Sequence, residues 1–316
     1  MGDVHRTDGR ARAVIIGQEG RERQEGRVGQ VDRAPSYSSL VRIDVAALSH
    51  RGHVRSNNED QFLVTRLGRT FETMITSLPE RDAPKLAEEV NYVMIVADGM
   101  GGHAAGEVAS RMALSAIVGI ALDMPDWIIK LNEGYAREVE RRTRTRIREV
   151  GALLFDEAAR DPALSGMGTT LTAARSLGRD LQITHVGDSR AYLFRAGRLH
   201  RLTRDHTYAQ LLVDLGRLPS TDQADPRQRH ILTNVLGGSD RDVTVDIDLM
   251  TLEDGDRVLL CSDGLTEMVD DQTIAGILAG ASASQQACET LVQRALDNGG
   301  RDNVTVIVAG YQLPQS

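Results

Sequence analysis

The residues in this chain most able to do chemistry are aspartates placed at the ends of apolar runs. Residues Tyr92–Ala97 run into Asp98-Gly99, Leu181–Val186 into Gly187-Asp188, and Arg257–Ser262 into Asp263-Gly264. Asp302 lies between Gly299-Gly300 and the strand-like segment Asn303–Val308, and Glu59-Asp60 just precedes Phe62-Leu63-Val64. A carboxylate at the tip of a buried strand is costly to desolvate unless a charge or hydrogen-bond donors meet it. Glycine beside it lets the backbone turn tightly and other groups approach. A single Asp-Gly is an ordinary turn signal, but its recurrence after apolar strands asks for more. Four or five such tips gathered at one end of a sheet repel one another, and a cation resolves that repulsion. Oxygen donors without His or Cys point to Mg²⁺ or Mn²⁺ rather than zinc.

The elements that must carry these tips can be read from periodicity. Strands are expected over Leu40–Ala47, Phe62–Val64, Tyr92–Ala97, Thr169–Ala174, Leu181–Val186, Val243–Leu249, Arg257–Cys261 and Val304–Val308. A hairpin joins Ala191–Phe194 to Leu199–Leu202 across Arg195-Ala196-Gly197-Arg198. Ala109, Met112, Ala113, Ala116, Ile117 and Ile120 form one helical stripe. A longer charged helix is expected from about Trp127 to Ala159, and two more over Asp271–Leu278 and Gln285–Leu296. Strands come in runs and helices in pairs, which indicates α+β with antiparallel sheets. One domain is expected over 38–314. Residues 1–37 read as a disordered tail, because seven arginines and six acids among Gly and Gln surround only one short apolar run, Val14–Ile16. The segment 68–91, with Pro79 and Pro84, reads as an inserted loop with one helical turn, and 206–240 mixes a short helix with Pro-containing loop.

Composition narrows the function. The 316 residues carry 45 acids against 37 bases, a net charge of −8, which argues against a nucleic-acid-binding surface. Only 3% of residues are aromatic, so the core must come from aliphatic side chains. Cys261 and Cys288 each sit within an apolar segment and read as inert buried thiols. No stretch is read as the roughly 18–20 apolar residues that cross a bilayer, and Met1–Arg10 lacks the apolar region of a secretory signal. The expectation is a free-standing cytoplasmic protein with no membrane contact, and a monomer.

Seven segments, in order, carry a family resemblance: Arg51–Asp60, Val96–His103, Gly168–Thr170, His185–Tyr192, Leu202–His206, Ser262–Leu265 and Gly300–Thr305. Over about 50–308 the chain resembles the metal-dependent protein phosphatases (the PPM, or type 2C, serine/threonine phosphatases), particularly the bacterial members. The resemblance implies a four-layer α-β-β-α sandwich around two antiparallel sheets, and hydrolysis of phosphoserine and phosphothreonine in proteins. By position it implies that Asp60, Asp98, Asp263 and Asp302 ligate two Mn²⁺ or Mg²⁺ ions, with the Gly99 carbonyl as a further ligand and Glu59 acting through water. Asp188, with Asp263, matches the place of a third, weaker ion, and Arg55 matches the phosphate-binding arginine. Two such cations can share one water, acidify it and clamp the phosphate for in-line attack by the bridging hydroxide, with no protein nucleophile. The implied partners are phosphorylated proteins, namely substrates of a bacterial serine/threonine kinase or the kinase itself.

Two departures from the family pattern matter. Met100 stands where some members carry a histidine thought to protonate the leaving alkoxide, which leaves metal-bound water or His103 as the donor; for His103 a structural or substrate-shaping role is favoured over direct involvement. The second departure is the segment 68–91, a tolerated surface loop or a partner-docking element. Asn303 is expected to orient a ligand carboxylate from behind. Segment 206–240 resembles the flap beside the family's active site, and its His206 is open between a structural hydrogen bond and a substrate contact. Ser189 and Arg190 are expected to hold the loop around Asp188, and His53 to be structural. The alternative function is a catalytically inactive phosphoprotein-binding module on the same fold.

Overall fold

A computed structural model describes residues 14–16, 40–78, 86–101, 105–122 and 133–314. Among the described residues, thirteen strands form two antiparallel sheets. The first contains β1 (Val14–Ile16), β2 (Arg42–His50), β13 (Val304–Gln312), β12 (Arg257–Cys261), β8 (Arg190–Arg195) and β9 (Arg198–Arg201), in that spatial order. The second runs β10 (Leu236–Gly237), β5 (Gly168–Thr169), β4 (Leu86–Met100), β6 (Leu171–Leu177), β7 (Asp180–Val186) and β11 (Asp246–Thr251), with β3 (Asp60–Glu72) paired to β4.

Apolar runs in the central strands exist because both faces are covered. Along β13, Val304, Val306 and Val308 face one way, while Ile307, Ala309 and Tyr311 face the other. The second set meets Val96, Met94 and Ile183 from the opposite sheet, forming the middle of the sandwich. The first set packs under helices α6 (Asp271–Gly280) and α7 (Ser284–Asp297), through Ile274, Leu278, Leu291 and Ala295. On the far side, α1 (Ala105–Leu122) and α2 (Glu133–Arg160) cover Ile95, Ala97, Leu171 and Val186. The result is α-β-β-α, the expected four layers.

Several local expectations change. The segment 68–91 is only partly the expected inserted loop: 73–78 are loop, but the described residues on either side are strand. Residues 68–72 and 86–91 prolong β3 and β4 as a hairpin arm, with Gly68 opposite Val90 and Glu72 opposite Leu86. Polar, charged residues obscure the period there because the arm lies beyond the covered sheet. Val14–Ile16, placed in the tail by the sequence, pairs antiparallel with Val45–Ala47 at the edge of β2. Helix α1 is long and apolar enough to cross a bilayer (18 residues, mean hydropathy 1.4), correcting the reading that no stretch reaches that length. Its Ala105, Ala109, Ala113 and Leu114 are buried in the core beneath it, and Glu107 and Arg111 interrupt its polar side. The turn Ala196-Gly197 has φ of 50° and 79°, the left-handed pair that a two-residue hairpin demands. Burial pushes both cysteine thiols up to about 12, in keeping with inert core residues.

Candidate metal centre

All five aspartates named from the sequence stand at one end of the sandwich. Asp60 opens β3 directly opposite Asp98, near the end of β4. Asp263 follows β12, Asp302 precedes the antiparallel β13, and Asp188 occupies the turn from β7 to β8, where the chain passes between sheets.

The Asp98 backbone is clamped by the break between β5 and β6. Its N–H donates to Thr170 Oγ1 (3.0 Å), and its carbonyl accepts from the Thr170 N–H and the Thr169 hydroxyl, each at 2.9 Å. Only glycine fits next, since a Cβ on Gly99 would stand 2.0 Å from the Gly106 carbonyl oxygen. Gly106 in turn leaves room for the Gly99 carbonyl and the Glu59 carboxylate, at 2.8 and 2.9 Å from where its own Cβ would be. A pocket for a carbonyl and a carboxylate is thus cut into the first turn of α1.

Ser262 links the sheets beneath the cavity. Its hydroxyl donates to Asp60 Oδ2 (2.7 Å) and accepts from the Thr305 N–H (3.0 Å). Asp263 then heads the short helix α5 (Asp263–Thr266), and a Cβ on Gly264 would come within 1.9 Å of the Asn303 carbonyl oxygen. The Asn303 side chain donates to the carbonyls of Arg51 and Asn57 and accepts from the Glu59 N–H, so it ties loop 51–59 to β13. Its backbone N–H, rather than its amide, meets Asp302 Oδ1 at 2.8 Å. Around Asp188, Ser189 bonds Thr170 (2.7 Å), and Arg190 makes a two-pronged pair with Asp205.

The electrostatics reflect this crowding. Asp60 and Asp188 are buried, whereas Asp98, Asp263 and Asp302 open onto a cavity of about 470 Å³. Desolvation and then neighbouring carboxylates hold Asp98 and Asp263 well above the ordinary carboxylate range. Burial also raises Asp60 to about 6 and Asp188 to about 7. Asp60 Oδ1 is buried without a hydrogen-bond partner. Arg55 reaches the cluster, with Nη2 donating to Asp302 Oδ2 at 2.5 Å from the cavity rim. Two guanidiniums at the cavity, Arg55 and Arg301, cannot neutralise five carboxylates. The orphaned oxygen, the carbonyl pocket and the all-oxygen donor set fit hard divalent cations.

His103 lies outside the described residues. His206 is held structurally: its Nδ1 accepts from the Gly187 N–H (3.1 Å) and Asn234 (2.8 Å), which leaves Nε2–H facing Asp246 at 3.0 Å. His53 anchors loop 51–59 through its backbone N–H to the Gly300 carbonyl. Three residues were not singled out by sequence: Arg301, Glu267 and His230, all lining the cavity. Glu267 stands four positions after Asp263 on the same helical face, a spacing that could have found it. His230, at the C-terminal end of α4 (Pro226–Arg229), belongs to no motif. Donor atoms of His230, Asp263 and Glu267 lie within 4.8 Å of one another.

A four-layer sandwich holding a carboxylate cluster suited to divalent cations defines a class of metal-binding hydrolase folds. Within that class the protein phosphatase 2C family model matches residues 73–301. The serine/threonine protein phosphatase PstP of Mycobacterium tuberculosis is 37% identical over 267 residues, 84% of this chain but 44% of its own length. The chain thus spans somewhat less than half of that relative. The serine/threonine phosphatase Stp of Listeria monocytogenes is 34% identical over 84% of this chain and 94% of its own. Among solved structures, the PstP catalytic domain in complex with two manganese ions superposes with a TM-score of 0.65 at 34% identity, covering 86% of this chain and 99% of that one. The serine/threonine phosphatase of S. agalactiae gives 0.70 at 29% identity, over 86% and 100%. This chain belongs to the protein phosphatase 2C family.

Proposed function

We propose that the chain is a protein serine/threonine phosphatase that depends on Mn²⁺ or Mg²⁺. The observation that carries the reading is the convergence of five carboxylates, from five separate stretches of sequence, with Arg55 as the cation paired to them. Asp60, Asp98, Asp263, Asp302 and the Gly99 carbonyl would hold two ions, with Glu59 acting through water. Asp188, together with Asp263, would hold a weaker third. Bound cations would neutralise the cluster and supply the acidified water that hydrolyses a phosphomonoester.

The chain's own residues do the rest. Arg55 lies on the exposed rim, where its planar fork can leave Asp302 for two phosphate oxygens. Ser262 and Thr170 fix Asp60 and Asp98 from behind, so their oxygens need not reorganise when charge arrives. The cavity opens to solvent, as a substrate presented on another protein requires. Such substrates are the products of a serine/threonine kinase, or that kinase itself, met in the cytoplasm.

Turnover of a phosphothreonine peptide, followed with excess chelator and then with added Mn²⁺, tests the reading. Loss and recovery are expected. Phosphopeptide binding without turnover at any metal concentration would favour the non-catalytic module instead.

A further inference from the structure

We infer that His230, held by Glu267, delivers the proton to the departing serine or threonine oxygen; the inference rests on the phosphatase reading. That oxygen leaves as a strongly basic alkoxide unless it is protonated, and Met100, at the rim, has no proton to give. Among the described residues, His230 is the histidine that lines the cavity with Asp98, Asp263 and Asp302. It also lines the adjoining cavity beneath segment 206–240, so its ring stands at the passage between the two.

Its placement is built rather than incidental. Asp225 caps α4 with a reciprocal capping box closed by Gln228, and Pro226 starts the helix, so the turn ends at His230. Immediately after it, the Ile231 carbonyl accepts from the N–H of Tyr208, the first residue of α3 (Tyr208–Asp214), at 2.8 Å, and Leu232 bridges Thr207. The ring is thereby presented from an anchored backbone. His230 Nδ1 stands 2.7 Å from Glu267 Oε1. A carboxyl oxygen at Nδ1 orients the ring and leaves Nε2–H as the proton to give. The charged groups around this pair are Asp222 and Arg229 from the flap, Asp263 from α5, Asp188, Arg190 with Asp205, and Arg301 with Asp302 before β13.

In the step, the water oxygen forms a new bond to phosphorus. The ester P–O bond breaks with its electron pair on the side-chain oxygen, and that oxygen takes the Nε2 proton. The attacking water releases one proton to solvent, and the neutral ring regains one from solvent.

The test compares two substrates on the full chain with Mn²⁺. A phosphothreonine peptide needs a proton on its leaving group, whereas p-nitrophenyl phosphate releases a stable anion. His230→Gln should lower peptide kcat about 100-fold while changing nitrophenyl phosphate turnover less than about threefold. Glu267→Gln, which loosens the orientation of the ring, should lower peptide kcat by less than His230→Gln does and leave nitrophenyl phosphate turnover within about threefold of wild type. Equal losses on both substrates, as expected if His230 only held a metal or the flap, would overturn the inference alone, as would no loss on either. A wild-type protein inert towards both substrates would sink the phosphatase reading and this inference together.

Discussion

Two groups of sunken aspartates in this molecule follow opposite rules. Asp205 and Asp256 are buried, and each is met by a guanidinium of the same chain. Arg190 grips Asp205 with help from Arg201, and Arg195 grips Asp256 at 2.8 and 2.6 Å. Asp205 is consequently held below the ordinary carboxylate range, its arginine partners outweighing its desolvation. Asp60 and Asp188 are as deeply set, and Asp98 and Asp263 line the cavity beside them; these four meet mainly one another, and all are raised. Where an aspartate serves the fold, the chain supplies its counter-charge. Where charge is left over at one place, the counter-charge has to come from outside, and that marks the site more sharply than acidity does.

The sharpest way to break this contrast is to remove one charge from each group. Asp98→Asn should lower phosphopeptide turnover by about a thousandfold or more, yet raise the melting temperature of the metal-free protein by relieving repulsion. A metal-free variant that melts lower than wild type would show that the cluster is not strained. Arg190→Leu should do the reverse, costing about 3–5 kcal/mol in denaturant unfolding by stranding Asp205; a neutral result would dissolve the distinction between the groups.

The pH dependence sharpens it further. Folded values of about 6 for Asp60 and about 7 for Asp188 exceed the unfolded value of about 3.9, so the native state binds protons more readily. Metal-free stability should therefore rise as pH falls from 8 through 7 and 6, and saturating Mn²⁺ should flatten that slope in thermal melts. Stability supplied by Asp205, whose value is lowered, is instead present at neutral pH and lost only in acid. The smallest effect belongs to Arg55→Ala, because Arg55 is exposed and pairs only at the rim. KM for phosphopeptide should rise severalfold with little change in stability, and an unchanged KM would remove the phosphate-clamp role.

Much of this was readable in the sequence for a physical reason. Strands buried on both faces give uninterrupted apolar runs, so the positions where Asp98 and Asp263 end them stand out. The limits of β12 were legible residue for residue, because the turn Asp254-Gly255 precedes it and a helix starts at the Asp263-Gly264 that follows it. The hairpin arm was not, since strands that cover no core lose their period. Thr170 splits a run that reads as one strand, because its hydroxyl and N–H go to Asp98 instead of the ladder. His230 was illegible for another reason: it reaches the site through a capped turn and a single bridge, and neither leaves a pattern in residue types. The Arg190–Asp205 pair, 15 residues apart, was likewise visible only as an arginine in a loop.

Strand β4 carries one further consequence. Between Asn91 and Val96 it is paired on both sides, to β3 and β6, but from Leu86 to Glu89, before the buried Val90, it is paired to β3 alone, with Arg69 bracing Glu89 at 2.9 Å. A two-stranded ribbon without a covered face is marginal in water. One continuous strand should therefore have two lifetimes. Amide protons of Leu86–Glu89 should trade with deuterium orders of magnitude sooner than those of Met94–Ala97, so that the end bearing Asp98 stays still while the other breathes.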